Sequence, residues 1–338
     1  MILLDTQFNT LIQSLGPSLV PVMKFLSFLG TEVIYILLFP AIYWCFNPGL
    51  GIRMGIALLS TTSLNSLLKI VFHMPRPYWV DPQVIAYSSE PSFGFPSGHA
   101  QMAASVWGLV GFYSRRPFVI LFAVFLILMI GISRLYLGVH FFVDILAGWL
   151  FGLIVFTLVI TLDKPVSKWI NRSSNWLVFL TAVGAGLILL IPGLIIHNNL
   201  QNWQIPASWI QVAERSGSTI APLSLKDLFS SVGSWIGFVA GACWLRSQEK
   251  TYGKFRVDGP AGQKVWRYML GISGVLFLWA GLGLFFPKDE TTIGLLLRLV
   301  RYFLVGGWIS GLAPYVFFRT GLISLARPFN VESNKSTG

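Results

Sequence analysis

This sequence carries too few charges to face water. Charged residues fill 11% of its 338 positions and hydrophobic ones 54%, with a mean hydropathy of +0.70. A soluble domain carries about a quarter charged residues, so this chain cannot cover an aqueous surface and is expected to lie mostly in lipid. The apolar residues gather into long runs at 31–46, 50–72, 98–113, 117–132, 141–162, 176–196, 228–245, 266–286 and 293–318. A membrane helix needs about 20 predominantly apolar residues. The expectation is an all-α, polytopic integral membrane protein of about nine transmembrane helices, the shorter runs borrowing flanking residues.

Residues 1–30 stand apart, with mixed polarity, Pro17 and Pro21, and no basic segment ahead of an apolar one. They read as an interfacial or broken helix and not as a cleaved leader. The chain then divides into 1–30, a transmembrane core at 31–162, and accessory helices and loops at 163–338. Cys45 and Cys243 lie inside predicted spans, where small buried hydrophobes are the expected reading.

A formal charge of +11 in a soluble chain would raise nucleic acid as a partner. Here the cations sit between apolar runs, which makes them a topology signal, and no nucleic acid is expected. Fifteen of the 24 Lys and Arg flank one set of alternating loops, at 47–49, 114–117, 163–175, 246–264 and the C-terminal tail. Excess Lys and Arg mark the cytoplasmic face, so the C-terminus is expected there. The loops at 73–95, 133–140, 197–227 and 287–292, with the N-terminus, are then expected on the extracytoplasmic face, the outside of a cell membrane.

Three polar blocks lie at the ends of apolar runs on that second face. In the first, Lys69 closes a span and Arg76 sits between Pro75 and Pro77 on a stiff extended segment. A lysine is a point charge for phosphate, and an arginine forks two hydrogen bonds onto its oxygens. The second block is Pro96-Ser97-Gly98-His99. Ser97 is a good helix N-cap, Gly98 permits close backbone approach, and free N–H groups at a helix start favour an anion. In the third, Ser133-Arg134 closes one span and His140 opens the next, with Asp144 four residues on. That spacing puts His140 and Asp144 on one helix face. A carboxylate inside an apolar run is costly and functional by default, and its natural partner is one nitrogen of His140. The other nitrogen is left free and basic.

The order and spacing of these blocks, K-x6-R-P, P-S-G-H and S-R-x5-H-x3-D, resemble the signature of the type 2 phosphatidic acid phosphatase superfamily, which includes the lipid phosphate phosphatases. Every signature position is intact, and the similarity covers about residues 20–160. The resemblance implies an all-helical membrane core and hydrolysis of a phosphomonoester or diphosphate through a phosphohistidine, with no metal or other cofactor. It implies His140 as nucleophile, Asp144 as its orienting partner and His99 as general acid. Lys69, Arg76, Ser97, Gly98 and Arg134 become the phosphate cradle, and Ser133 matches without an assigned role. The expected partners are the bilayer and a membrane lipid phosphate such as phosphatidic acid, a sphingoid phosphate or a polyprenyl diphosphate.

Two other readings share these features. A phosphotransferase passing the phosphate to another lipid has the same pocket. A non-catalytic lipid transporter or scaffold also suits about nine spans, but an inert relative should have lost signature residues. The remaining histidines, His73 and His197, read as membrane-edge residues. The 198–227 loop, with Trp203 and Trp209, reads as an interfacial connector or a cap over the pocket. Gly237/Gly241 and Gly307/Gly311 have the small-x3-small spacing of close helix packing, including dimer faces.

Overall fold

A computed structural model describes residues 4–200 and 202–325. The C-terminal tail, with Arg327 and Lys335 of the charge count, lies outside these residues. Two short helices, α1 (Gln7–Gln13) and α2 (Val20–Phe28), come first. They are bent by 86° at the Gly16-Pro17 break. Then come α3 (Glu32–Cys45), α4 (Pro48–Phe72), a one-turn α5 (Pro77–Val80), α6 (Gly98–Ser114), α7 (Pro117–Tyr136), α8 (Phe142–Arg172) and α9 (Asn175–Asn199). The surface helix α10 (Ala207–Arg215) precedes three long helices: α11 (Lys226–Tyr252), α12 (Ala261–Phe285) and α13 (Thr292–Arg319). Two-residue strands at Phe255–Arg256 and Ser324–Leu325 pair antiparallel.

All nine predicted runs are helical, but seven helices among the described residues are long and apolar enough to cross a membrane. The difference lies in α3, with 14 residues, and α6, with 17, which fall short of the about 20 that a span requires. Both carry residues of the polar cavity described below. The predicted basic loop at 163–175 is instead helix. α8 runs through Pro165 to Arg172, and only Ser173 and Ser174 separate it from α9. Arg53 on α4 forks onto Asp163 at 2.8 and 2.7 Å, which holds that helical overhang in place.

The paired glycines pack within the chain. A Cβ on Gly241 of α11 would lie 2.6 Å from the Gly307 carbonyl of α13, and one on Gly311 would lie 2.5 Å from the Gly241 carbonyl. The two backbones are in contact, so these faces are filled by one another and not by a second molecule. The same device joins α8 to α6. A Cβ on Gly148 would lie 2.6 Å from the Ser97 carbonyl, and one on Gly152 would strike the Gln101 carbonyl.

The largest core joins α3, α4 and α6 to the last three helices through Tyr35, Phe39, Trp44, Met54, Phe238, Ile309 and Phe317. Both α12 and α13 contain a π-turn, at Phe277–Gly281 and Trp308–Leu312. A π-turn disturbs the regular carbonyl ladder. Side chains of α3 reach the second one: Tyr43 Oη donates to the Ser310 carbonyl and Trp44 Nε1 to that of Ile309, both at 2.9 Å. The accessory helices are thereby fixed to the N-terminal half.

Candidate active site

The second and third polar blocks meet at the start of α6. Ser97 caps that helix, with its hydroxyl 3.5 Å from the Ala100 N–H. Its own N–H donates to the Asp144 carbonyl at 2.9 Å, which ties the beginnings of α6 and α8 together. Gly98 has no room for a side chain, because a Cβ would lie 2.9 Å from Asn65 Oδ1. Asn65 in turn donates to the Pro96 carbonyl at 3.1 Å and to Gln101 at 2.9 Å.

His140 lies in the link before α8 and not on it. The predicted shared helix face is therefore corrected: α8 starts at Phe142, and Asp144 curls back from its first turn. Asp144 Oδ2 accepts the Phe141 N–H at 2.9 Å and faces His140 Nδ1 at 3.2 Å. One carboxylate oxygen thus caps the helix and orients the imidazole. Its second oxygen is buried without a partner.

Arg76 fixes the other side of the ring. Its guanidinium is fully buried. It donates to the carbonyls of Ser92 at 2.7 Å, Val139 at 2.9 Å and Phe93 at 3.0 Å, and to Ser92 Oγ at 3.1 Å. Its Nη1 lies 3.3 Å from His140 Nε2. A guanidinium can only donate, so this contact requires a lone pair on Nε2. The proton then resides on Nδ1, facing Asp144. Burial, followed by the charges of Arg76, Arg134, Lys69 and His99, pushes His140 well below the ordinary histidine range. The ring is therefore neutral near pH 7.

Lys69, Arg76, Gly98, His99 and His140 line one cavity of about 240 Å³. Asp144 stands behind His140. Ser97 and Ser133 are fully buried and off the cavity wall, Ser133 bonding the Ile130 carbonyl at 2.7 Å. The expectation that the Ser97 hydroxyl faces a phosphate is thus corrected: the hydroxyl serves as a cap. Arg134 is held one step back, by Ser27 Oγ at 2.6 Å and Glu90 at 2.5 Å.

Glu90 was not singled out from the sequence. It lines the cavity and faces the cations. Burial alone would raise its carboxyl, but Arg134, Arg76, His99 and Lys69 together hold it at about 2. Ser92 is also on the wall and accepts from Lys69 Nζ at 2.9 Å. Glu32 and Asp227, in the first turns of α3 and α11, complete the acidic side. Acidic residues in a first helical turn are ordinary complements of the dipole, so nothing local distinguishes these two. Asn9 was missed as well. It is fully buried and donates to the carbonyls of Leu135 at 2.9 Å and His140 at 3.0 Å, bracing the turn that carries His140 from α1. Gly138 completes that turn at φ 77°, where a Cβ would strike the Ile85 carbonyl.

His73 and His197 do not line this cavity. His73 caps α4, with its ring about edge-on to Phe93 and Trp203 at 6.2 and 6.1 Å. Among the described residues, no three His, Cys, Asp or Glu side chains gather in a metal-binding group.

Residues 50–167 match the PAP2 superfamily model, and residues 229–327 match that of the PAP2 superfamily phosphatase, transmembrane extension. The chain belongs to the PAP2 superfamily. The first match holds all three polar blocks of this PAP2 chain, and the second holds α12, α13 and most of α11. Phosphatidylglycerophosphatase B of Bacillus subtilis is 33% identical over 35% of this chain and 61% of its own length. Sphingosine-1-phosphate phosphatase 1 of Mus musculus is 30% identical over 48% of this chain and 38% of its own. The chain thus spans less than two thirds of either relative. The crystal structure of a transmembrane PAP2 type phosphatidylglycerolphosphate phosphatase from Bacillus subtilis aligns with a TM-score of 0.40 and 27% identity, covering 47% of this chain and 85% of that one.

Proposed function

We propose that this protein is a membrane lipid phosphate phosphatase that hydrolyses a phosphomonoester or diphosphate through a phosphohistidine on His140. One observation carries the reading: Lys69, Arg76, His99 and His140 share the wall of a single cavity, with Asp144 behind His140. The names of the relatives support a lipid phosphate as substrate, with phosphatidylglycerophosphate and sphingosine 1-phosphate the first to test.

In this reading the incoming phosphate draws the Arg76 Nη1 donor off His140 Nε2, and the freed lone pair attacks phosphorus in line, forming a P–N bond as the bond to the leaving oxygen breaks. Lys69 and Arg76 stabilise the charge on the equatorial oxygens, the main demand of phosphoryl transfer. Arg134 joins them once phosphate displaces or shares Glu90. His99, protonated as the negative phosphate enters beside it, passes its proton to the departing oxygen. It then takes a proton from the water that attacks the phosphohistidine, and phosphate leaves. The Nδ1–H keeps its contact with Asp144, whose charge balances the positive ring of the intermediate.

The test is phosphate release by the full chain in detergent from phosphatidic acid, phosphatidylglycerophosphate, sphingosine 1-phosphate and a polyprenyl diphosphate, with and without chelator. Release from at least one, undiminished by chelator, is expected. No release from any of them counts against the reading.

A pH profile adds a second check. A histidine held below its usual value of about 6.5 stays neutral into mild acid. The acid limb of kcat/KM that His140 sets should therefore lie below pH 6.5. The linkage has the matching sign. The folded state binds this proton less readily than the unfolded one, so the stability contribution is complete above about pH 6.5 and declines as the pH falls below it.

Glu90 sets a third expectation. Its carboxylate occupies Arg134 and adds negative charge where phosphate must sit. Glu90→Gln should lower the inorganic phosphate concentration for half-inhibition by about three- to tenfold, an effect of the size expected for one screened charge. An unchanged value would argue that phosphate never reaches Arg134.

The excess of Lys and Arg on the opposite set of loops supports a cavity that opens on the extracytoplasmic side of a cell membrane. A cysteine introduced at Gln83, exposed in the 81–97 loop, should react with a membrane-impermeant maleimide added to intact cells in a background lacking Cys45 and Cys243. Labelling only after lysis would invert the orientation.

A further inference from the structure

A second cavity, of about 200 Å³, adjoins the first, and Glu32, Thr62 and Asp227 line both. Beyond this polar neck the walls become apolar. Leu58 and Phe39 come from the N-terminal half, and Val275, Val305 and Ile309 from the accessory helices. The rim is made by Val33 and Leu37 of α3 and by Leu276 and Trp279 of α12, all exposed. In a bilayer these side chains face hydrocarbon, so the cavity opens sideways into lipid between α3 and α12.

Both π-turns border this space, through Trp279 and Ile309. Single π-turns inside α-helices are frequent at functional sites. The wall on this side is also braced. Trp279 Nε1 donates to Tyr302 Oη at 3.1 Å, and Arg298 on the same wall bonds the Lys226 carbonyl at 3.0 Å and Ser230 Oγ at 2.7 Å.

We propose that this cavity holds the hydrocarbon chain of the lipid whose phosphate enters the polar one, so that α11, α12 and α13 select substrates by their tails. The proposal rests on the phosphatase reading above. Its physical content is continuity: the cavity beside His140 adjoins an apolar one at the neck, and that space leads to the bilayer through walls supplied largely by the accessory helices. Burial of each methylene there favours long chains.

Ser234 lies on α11 in the cavity wall and is half-buried. Ser234→Phe fills part of the slot. The quantity to measure is the ratio of kcat/KM for a sixteen-carbon lipid phosphate to that for a water-soluble four-carbon analogue. A drop in this ratio on the order of tenfold is expected, the displacement of a few methylenes. An unchanged ratio, or an equal loss on both substrates, would overturn the proposal.

A second measurement is independent of turnover and of how the variant folds. The wild-type chain is photolabelled with a long-chain alkyl phosphate bearing a diazirine near the end of its tail. Label on peptides of α3, α11, α12 or α13, displaced by unlabelled long-chain alkyl phosphate, is the expected result. Label confined to α7, α8 and α9, or label that competitor leaves in place, would sink the tail slot even if phosphate is released. Failure of the phosphatase reading alone would leave correctly placed, competable label with no hydrolysis.

Discussion

Replacing His140 with alanine is expected to reduce phosphate release to the level of the protein-free reaction while the chain still extracts and elutes as the wild type does. The side chain is 2% exposed, yet its backbone carbonyl, not its ring, accepts the bond from Asn9. Removing the ring therefore leaves the brace from α1 in place. Asp144→Asn should keep the fold too, because an amide oxygen can still accept the Phe141 N–H and the His140 Nδ1–H. What it loses is the negative charge opposite a ring that becomes positive on phosphorylation. A fall of about 10²-fold or more in kcat is expected, the scale of acid–base and orienting groups. Acid-labile, base-stable incorporation of ³²P into the wild type and not into His140→Ala would identify the phosphorylated residue. Native turnover by His140→Ala would remove it from the mechanism.

Arg76→Ala should be the most damaging substitution for stability and activity together. The guanidinium satisfies three backbone carbonyls from two separate segments, residues 92–93 and Val139, and touches the ring of His140. Each buried acceptor left without a partner costs about 1–3 kcal/mol. Losing several of them should lower the unfolding temperature in detergent sharply and free the ring to turn. Arg76→Lys is the informative control. It keeps a positive charge, but a single ammonium cannot reach all of these acceptors in the fork geometry. If charge alone mattered, Arg76→Lys would recover most of the activity. The geometry predicts that it recovers little of the activity and only part of the stability. Equal thermal stability of all three proteins would show that the carbonyl bonds contribute little.

These two residues also show how far the sequence could be read. The pairing of His140 with Asp144 was legible in the spacing from Ser133 to Asp144, but its geometry was not. A separation of four residues suggested a shared helix face, whereas a helix that starts after His140 makes the contact through a capping carboxylate. Arg76 stood out in the sequence as a cation held on a stiff segment between Pro75 and Pro77. Its attachment to Ser92, Phe93 and Val139 depends on how the 81–97 loop folds over the bundle end, and no local pattern encodes that.

Glu90, Asn9, Glu32 and Asp227 form a different class. Each is an ordinary polar residue in its local context, and each acquires meaning only from what packs against it. The small-x3-small glycines were legible as a packing face, but an apolar stripe does not specify its partner. α11 and α13 turned out to be each other's.

Composition and hydropathy alone determined that this chain lies in lipid as a bundle of helices, because a sequence with so little charge has no other stable environment. Motif order alone nominated the reacting groups, since chemistry demands particular side chains. Tertiary structure decided which of them share a cavity, which carboxylates face it, and that the accessory helices build an apolar space beside it. Those outcomes depend on contacts between residues as far apart as Trp44 and Ile309. Their energies arise only when distant segments exclude water and lipid from one another.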